Sequence, residues 1–298
     1  MRLDPAHLAA LAAIVRQGSF DAAAGQLGVT ASAISQRIKA LEERMGTVLI
    51  ERGQPCVPTA AGARLAQHAE DLALLEAQVL ERLAPDTTGT QPRLRIAVNA
   101  DSLATWLIPA LAEAPPLLFD LVIDDQDHSA DWLRRGSVSA AITGHATPVP
   151  GCDCSALGQF RYIATASPSF MAEWFADGVT ADSLARAPMM AFNAKDRLQH
   201  RWITEVTGDR LSPPTHHMAS THAFVDAALC GLGWGMNPVS LVRGHIDAGR
   251  LVALVPDAPL DIALYWQTNR LMARALEPLW RALKTAAGRD LQQSLTRL

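Results

Sequence analysis

The chain has 298 residues, enough for two domains or for one small domain joined to a larger one. With 49% hydrophobic and 19% charged residues it has an ordinary globular balance and sufficient apolar area for a real core. A net charge of −4 excludes a wholly basic protein that coats nucleic acid, yet leaves room for one small DNA-contacting face on a larger acidic body.

Residues 1–58 hold six Arg/Lys against five Asp/Glu, a net of about +1, which leaves about −5 for the rest. No apolar run reaches the roughly 18 residues that span a bilayer. Asp4, Pro5 and His7 interrupt the apolar start, and Arg16 and Gln17 come after it, so it reads poorly as a signal peptide and a cytoplasmic location without membrane partners is expected. Cys56, Cys152, Cys154 and Cys230 are then free thiols. The pair Cys152-x-Cys154 near His145 has no second pair, so no metal site is expected.

Three short helices open the chain. Leu8, Leu11, Ala12 and Val15 recur at i, i+3, i+4 and i+7; Gly18 stops the pattern and Ser19 is a good N-cap. Phe20, Ala23, Ala24 and Leu27 repeat the spacing, Gly28 stops it, and Thr30 caps a third helix. Two helices joined by a short Gly-containing turn form a helix-turn-helix signature. In the third helix, Ile34, Ile38, Leu41 and Met45 cluster within about 60° of arc and face a core. Ser32, Ser35, Gln36 and Lys39 lie opposite, on a face without acids. Ser and Gln hydrogen-bond base edges, while Lys39 and the flanking Arg37 suit phosphates or guanine. "TVLIERGQPCVPT" then reads as a small hairpin, or wing, carrying Arg52.

Thr59 caps a long helix over about 59–83. Its apolar stripe, Leu65, Leu72, Leu75, Val79 and Leu83, steps by 7, 3, 4 and 4. Packing on its own domain is one reading; a dimer seam is favoured, because Pro85 and "DTTGTQP" sever the helix from the C-terminal part of the chain. From Arg93 the pattern becomes α/β. "RLRIAV", "LLFDLVID", "SVSAAIT", "RYIATA", "PMMAFN", "LGWGM", "LVALV" and "IALYWQT" read as strands. "DSLATWLIPALAEA", "HSADWLRRG", "THAFVDAALCG" and a terminal stretch of about 272–289 read as helices. All seven tryptophans lie at or after Trp106, so the N-terminal part is a separate small unit.

The stretch "FDAAAGQLGVTASAISQRIKALEERMGTVLIERG…PTAAG" resembles the N-terminal domain of LysR-type transcriptional regulators. "AVNADSLATWLIPALA", "DDQDHSADWLRRGSVSAAIT" and "STHAFVDAALCGLG" extend the likeness over the whole chain, toward the arginine/lysine-export regulators (ArgP- or LysG-like). Two departures stand out: Ala31 replaces a frequent Gln, and "PTAAG" lacks an acid often found there. The resemblance implies an all-α winged helix-turn-helix over 1–58, a linker (dimerisation) helix and hinge over 59–91, and a two-lobed periplasmic-binding-protein-like α/β effector domain over 92–298. Lobe I is expected at about 92–161 and 268–298, and lobe II at about 162–267.

Ligands of open α/β folds bind at strand C-terminal ends. Asn99, Asp101 and Ser102 stand between such an end and a helix start, whose free N–H groups suit an α-carboxylate. Asp124 or Asp125, with Asp124 preferred, is expected to meet a cation, or else to cap the helix near Ser129. Thr143 is expected to face the cleft from another strand end, and Asn193, Asp196, Ser220, Thr221 and His222 to face it from the second lobe. No catalytic constellation has a spacing that specifies chemistry, so no enzyme and no cofactor are expected. The implied function is a sequence-specific regulator responding to a small effector, a basic amino acid such as lysine or arginine. Its implied partners are a double-stranded operator, RNA polymerase, and copies of itself as a homodimer or homotetramer. A different effector, or an architectural DNA binder, are the alternatives.

Overall fold

A computed structural model of the chain describes residues 3–83 and 91–293. The N-terminal unit is α1 (Pro5–Gln17), α2 (Phe20–Leu27) and α3 (Ala31–Met45). Each start and stop has a local cause. Asp4 accepts from the Ala6 N–H at 2.8 Å, Ser19 from Ala22 and Thr30 from Ala33. Gly18, Gly28 and Gly46 end the three helices in the left-handed conformation that glycine adopts without steric cost. Leu11, Ile14, Ala23, Ile34, Ile38, Leu41 and Leu49 form the core. Met45 departs from its expected place there: it sits in the last turn of α3, just before the Gly46 cap, and is exposed.

The wing is a hairpin of β1 (Ile50–Glu51) and β2 (Val57–Pro58). Glu42 of α3 ties it down, accepting from the N–H groups of Leu49 at 2.8 Å and Ile50 at 3.3 Å. The long helix α4 (Ala60–Leu83) comes next. Thr59 caps it even without the acid, accepting from the Gly62 N–H at 3.1 Å and donating to the Val48 carbonyl at 2.9 Å.

The expected single seam on α4 divides. Leu65 packs on the N-terminal core, while Leu75 packs with buried Leu74 on the core of the C-terminal domain, so neither belongs to a free stripe. Leu72, Val79, Leu80 and Leu83 remain exposed. The cause is that α4 lies between two cores and spends part of its apolar surface on each. The expected hinge at Pro85 and "DTTGT" lies outside the described residues.

In the C-terminal domain, β3 (Arg93–Val98) leads into α5 (Ala100–Ser102), a π turn (Leu103–Leu107) and α6 (Ile108–Ala112). Next come β4 (Leu118–Ile123), α7 (Ser129–Arg134) and β5 (Ala140–Thr143), with β4 and β5 both parallel to β3. The chain then crosses to the second lobe along one strand, β6 (Cys152–Ala166), of which the sequence pattern marked only the last part. The second lobe holds α8 (Pro168–Trp174), α9 (Ala181–Arg186), β7 (Met189–Ala191), α10 (Leu198–Thr207), β8 (Thr215–His217), α11 (Thr221–Leu229), β9 (Gly235–Pro238), α12 (Val239–Asp247) and β10 (Val252–Ala253).

The strand β11 (Leu260–Asn269) returns antiparallel to β6, and α13 (Glu277–Asp290) covers the first lobe. Because Tyr265–Thr268 already pair with β5, the return to lobe I comes near residue 265. The terminal helix begins at Glu277 rather than about 272, since Pro278 has no N–H to donate and is tolerated only in the first turn. Among the described residues no helix is long and apolar enough to cross a membrane.

Two glycines test this packing. A Cβ on Gly62 would overlap the Leu49 carbonyl, a backbone group that cannot swing aside, so Gly62→Ala is expected to cost about 1–3 kcal/mol or to detach α4 from the wing. Gly288 on α13 has open space around it, so Gly288→Ala is expected to gain about 0.5–1 kcal/mol. Denaturant unfolding of the full chain measures both; equal effects would contradict the packing described.

Candidate functional site: the reading helix and the interlobe cleft

On α3 the residues Ser32, Gln36 and Lys39 are exposed and share one face at i, i+4 and i+7, opposite buried Ile34, Ile38 and Leu41. Ser35 and Arg37 flank that face half-buried. Lys39 stands 3.8 Å from Glu43, an exposed pair that leaves the ammonium available. Arg52 of the wing is exposed, its guanidinium 5.1 Å from the centre of the Phe20 ring, which fixes the wing's cation beside α2.

The second site is a cleft of about 730 Å³, its open mouth included, between the lobes. The first lobe supplies the ends of β3 and β4: Asn99, Ala100, Asp101, Ile123, Asp124, Asp125 and Gln126. The second lobe supplies Phe192, Asn193 and Asp196 after β7, Leu198 and Gln199 at the start of α10, and Thr221 and Phe224 of α11. Met236, Asn237 and Pro238 of β9 and Tyr162 of the crossover strand complete it.

Asp101 is half-buried and bridges both lobes. One oxygen accepts from Thr221 Oγ1 at 2.7 Å and the other from the Tyr162 hydroxyl at 2.8 Å. Burial raises its carboxyl above the ordinary value, against the pull of those two donors. Burial, with Asp101 beside it, lifts the Tyr162 phenol well above its usual range. Asp125 is also raised, chiefly by burial, with Asp127 and Asp196 adding repulsion.

Asp124 differs. Burial again acts upward as the largest single influence. The Trp132 indole N–H at 2.9 Å, the Asp125 N–H at 2.9 Å and the Lys195 ammonium at 3.6 Å together bring it below the ordinary value. Asp124 is thus an ionised, preorganised carboxylate, whereas the Asp125 carboxylate accepts from the Asp127 N–H alone among the described residues.

Around these carboxylates several amides lack partners. Among the described residues neither amide atom of buried Asn99 has a hydrogen-bond partner, and Gln199 Oε1 and Asn237 Oδ1 are likewise unpaired. Asn237 spends its NH₂ on Thr165 Oγ1, leaving an acceptor free. Four carboxylates and three incompletely paired amides therefore line the cleft, and among the described lining residues there is no lysine or arginine. Buried polar groups are normally paired, so this lining suits a ligand rich in N–H donors.

Three expected cleft residues lie elsewhere. Ser102 is buried and its hydroxyl accepts from Trp106 Nε1 at 3.1 Å, one turn along, so it stays in the core. Thr143 points to the opposite face of β5 and accepts from Gln267 Nε2 at 3.0 Å. His222 is exposed, because the residue after cleft-lining Thr221 is turned about 100° around α11. Ser220 caps α11, accepting from the Ala223 N–H.

Asn193 and Asp196 do line the cleft, but they also shape the loop. Asn193 Oδ1 accepts from the Lys195 N–H, and Asp196 accepts from the N–H groups of Phe192 and Leu198. Tyr162, Gln199 and Asn237 were missed by sequence reasoning. The end of a strand at Asn237-Pro238 was the one available signal, and nothing local marked Gln199.

Known proteins bear on both sites. Residues 5–63 match the model of the bacterial regulatory helix-turn-helix protein, lysR family, and residues 87–288 that of the LysR substrate binding domain. The chain is 42% identical over 286 residues to the HTH-type transcriptional regulator LysG of Mycobacterium bovis, covering 96% of this chain and 94% of that one. The crystal structure of ArgP from Mycobacterium tuberculosis superposes with a TM-score of 0.82 at 41% identity, over 98% of this chain and 100% of that one. Full-length LysG from Corynebacterium glutamicum with bound effector Arg gives a TM-score of 0.68 at 36% identity, over 97% and 100% of the two chains. The chain belongs to the LysR family of helix-turn-helix transcriptional regulators.

Proposed function

We propose that this regulator reads a double-stranded operator through α3 and the wing, pairs with a second copy through α4, and senses lysine or arginine in the interlobe cleft, acting in the cytoplasm and meeting RNA polymerase at its promoters. The observation that carries the effector reading is the lining of carboxylates and unpaired acceptors without a basic residue. A ligand with a guanidinium or ammonium end supplies the missing donors and charge. The α-carboxylate fits the opposite requirement. The side chain of Asn99 does not cap the helix that starts at Ala100, so the first N–H groups of α5 and the Asn99 amide remain to receive an anion. The cationic end then lies toward Asp124 and Asp125. The bound arginine of the Corynebacterium glutamicum LysG structure agrees with this ligand class.

Calorimetric titration of the full chain tests the reading. Arginine and lysine are expected to bind, and citrulline, the neutral isostere of arginine, to bind at least about tenfold more weakly. Asp124→Ala leaves a partly desolvated cation unpaired and is expected to lower arginine affinity by about thirtyfold or more, on the order of 2–5 kcal/mol for such a pair, with little effect on citrulline. Equal binding of arginine and citrulline would overturn the basic-amino-acid reading and leave the family assignment intact.

On DNA, Gln36→Ala is expected to cost about 1–3 kcal/mol on a specific operator and much less on random sequence. Lys39→Ala is expected to weaken both and to flatten the salt dependence. Equal losses for Gln36→Ala on the two DNAs would remove it from base reading.

For assembly, Val79 is exposed on α4 and touches neither core, so Val79→Asp places a charge in the proposed seam without disturbing the fold. Sedimentation is expected to show a smaller species with weak operator binding; a variant that sediments and binds like the parent would exclude α4 as the seam.

A further inference from the structure

We propose that Lys195 is a tethered stand-in for the effector's cation: in the ligand-free protein its ammonium occupies the Asp124 subsite across the cleft mouth, and a basic effector must displace it. The proposal rests on the reading of the cleft as a basic-amino-acid site and adds a competitor built into the chain. Asp124 belongs to the first lobe and Lys195 to the loop between β7 and α10 of the second, so their contact at 3.6 Å spans the two lobes. Of the four cleft carboxylates, Asp124 is the one whose ion-pair partner is seen among the described residues.

The loop is built to present this side chain. Asn193 Oδ1 holds the Lys195 N–H at 2.8 Å, and the Asp196 carboxylate clamps the Phe192 and Leu198 N–H groups at 2.8 and 2.9 Å. On the other side, Trp132 and the Asp125 N–H fix the Asp124 carboxylate. Its charge is in place before any ligand arrives, and one cation replaces another with no rearrangement of the acceptor.

Residue type adds a second argument. The chain contains 23 arginines and only three lysines, Lys39, Lys195 and Lys284. In so arginine-rich a sequence, a lysine stands where a cation meets a cleft carboxylate. Arginine would fork onto both carboxylate oxygens and stack, whereas an ammonium is a point charge with a single loose contact. The Lys195 side chain is 59% exposed and that of Asp124 17%, so the pair is half in water, weak and exchangeable. It spans the cleft mouth and is released by a ligand whose cation is of the same kind but also brings an α-carboxylate for the opposite wall.

The test is titration of the full chain and two variants with arginine, lysine and citrulline. Lys195→Gln removes the competitor and is expected to tighten arginine and lysine roughly two- to fivefold while leaving citrulline unchanged. Lys195→Arg strengthens the competitor and is expected to weaken arginine by a similar factor. Opposite signs for the two variants are the signature, since a structural role would move all ligands the same way. Loss of arginine and citrulline alike in Lys195→Gln would show that Lys195 grips the α-carboxylate and would overturn the proposal, as would unchanged affinities in both variants. Failure of the parent protein to take arginine or lysine would instead overturn the reading of the cleft, and the proposal with it.

Discussion

The antiparallel ribbon of β6 and β11 is the constraint on which the rest of the C-terminal domain depends. The two strands stay paired from Tyr162 opposite Leu260 to Cys152 opposite Asn269, passing through both lobes. Every cleft residue is therefore placed relative to one continuous element. Tyr162 reaches Asp101 because it sits on the ribbon beneath the gap between the lobes, and Asp101 in turn reaches Thr221. The ribbon bends at a bulge beside Leu264 and Tyr265, where Gly158 has a φ of +145°, a conformation L side chains rarely adopt. A side chain there would also collide with the segment after α13, where Gln292 pairs with Gln159 through two backbone hydrogen bonds of 2.8 and 2.9 Å.

The same ribbon touches the part of the molecule that carries the reading helix. Gln267 of β11 donates to Thr143 and to the carbonyls of His145 and Thr147, and accepts from the Val149 N–H. The next two residues both contact the Ser139 carbonyl, Thr268 through its hydroxyl and Asn269 through its N–H. The Ser139 hydroxyl donates to Asp71 of α4 at 2.6 Å and accepts from Gln67 at 2.9 Å. Asp71 is raised by burial, with those two donors opposing the shift, so this is a desolvated junction and not a surface contact. Further along α4, Gln78 donates to the Ala275 carbonyl at 2.7 Å, and Glu70 pairs with Arg16 of α1. On the proposed reading, a lobe movement that shifts the ribbon shifts Ser139 and, through α4, the helix-turn-helix unit.

The helix-turn-helix was legible in the sequence because its punctuation is local: Ser19, Thr30 and Thr59 cap, and Gly18, Gly28 and Gly46 stop. The strands β3, β4 and β5 were legible as apolar runs. The full length of β6 was not, because "CDCSALGQ" is mixed in character and becomes a strand only by pairing with β11. Helices α8, α9, α10 and α12 were also missed. Strand ends pointed to Asn99, Asp101 and Asp124, which line the cleft, but they do not say which way a side chain turns. That is why Ser102, Thr143 and His222 were placed in the cleft and are not there. Tyr162, Gln199 and Asn237 come from the ribbon and the second lobe, and only the folded chain brings them to the first.

The measurement that bears most directly on the central claim is a crystal structure of the full chain grown with arginine. The account places the guanidinium against Asp124 and Asp125, the α-carboxylate at the N–H groups that open α5, and the Lys195 ammonium away from Asp124. Arginine bound outside the cleft, or lying in it with its guanidinium turned from that wall and its carboxylate beside Asp124, would contradict it.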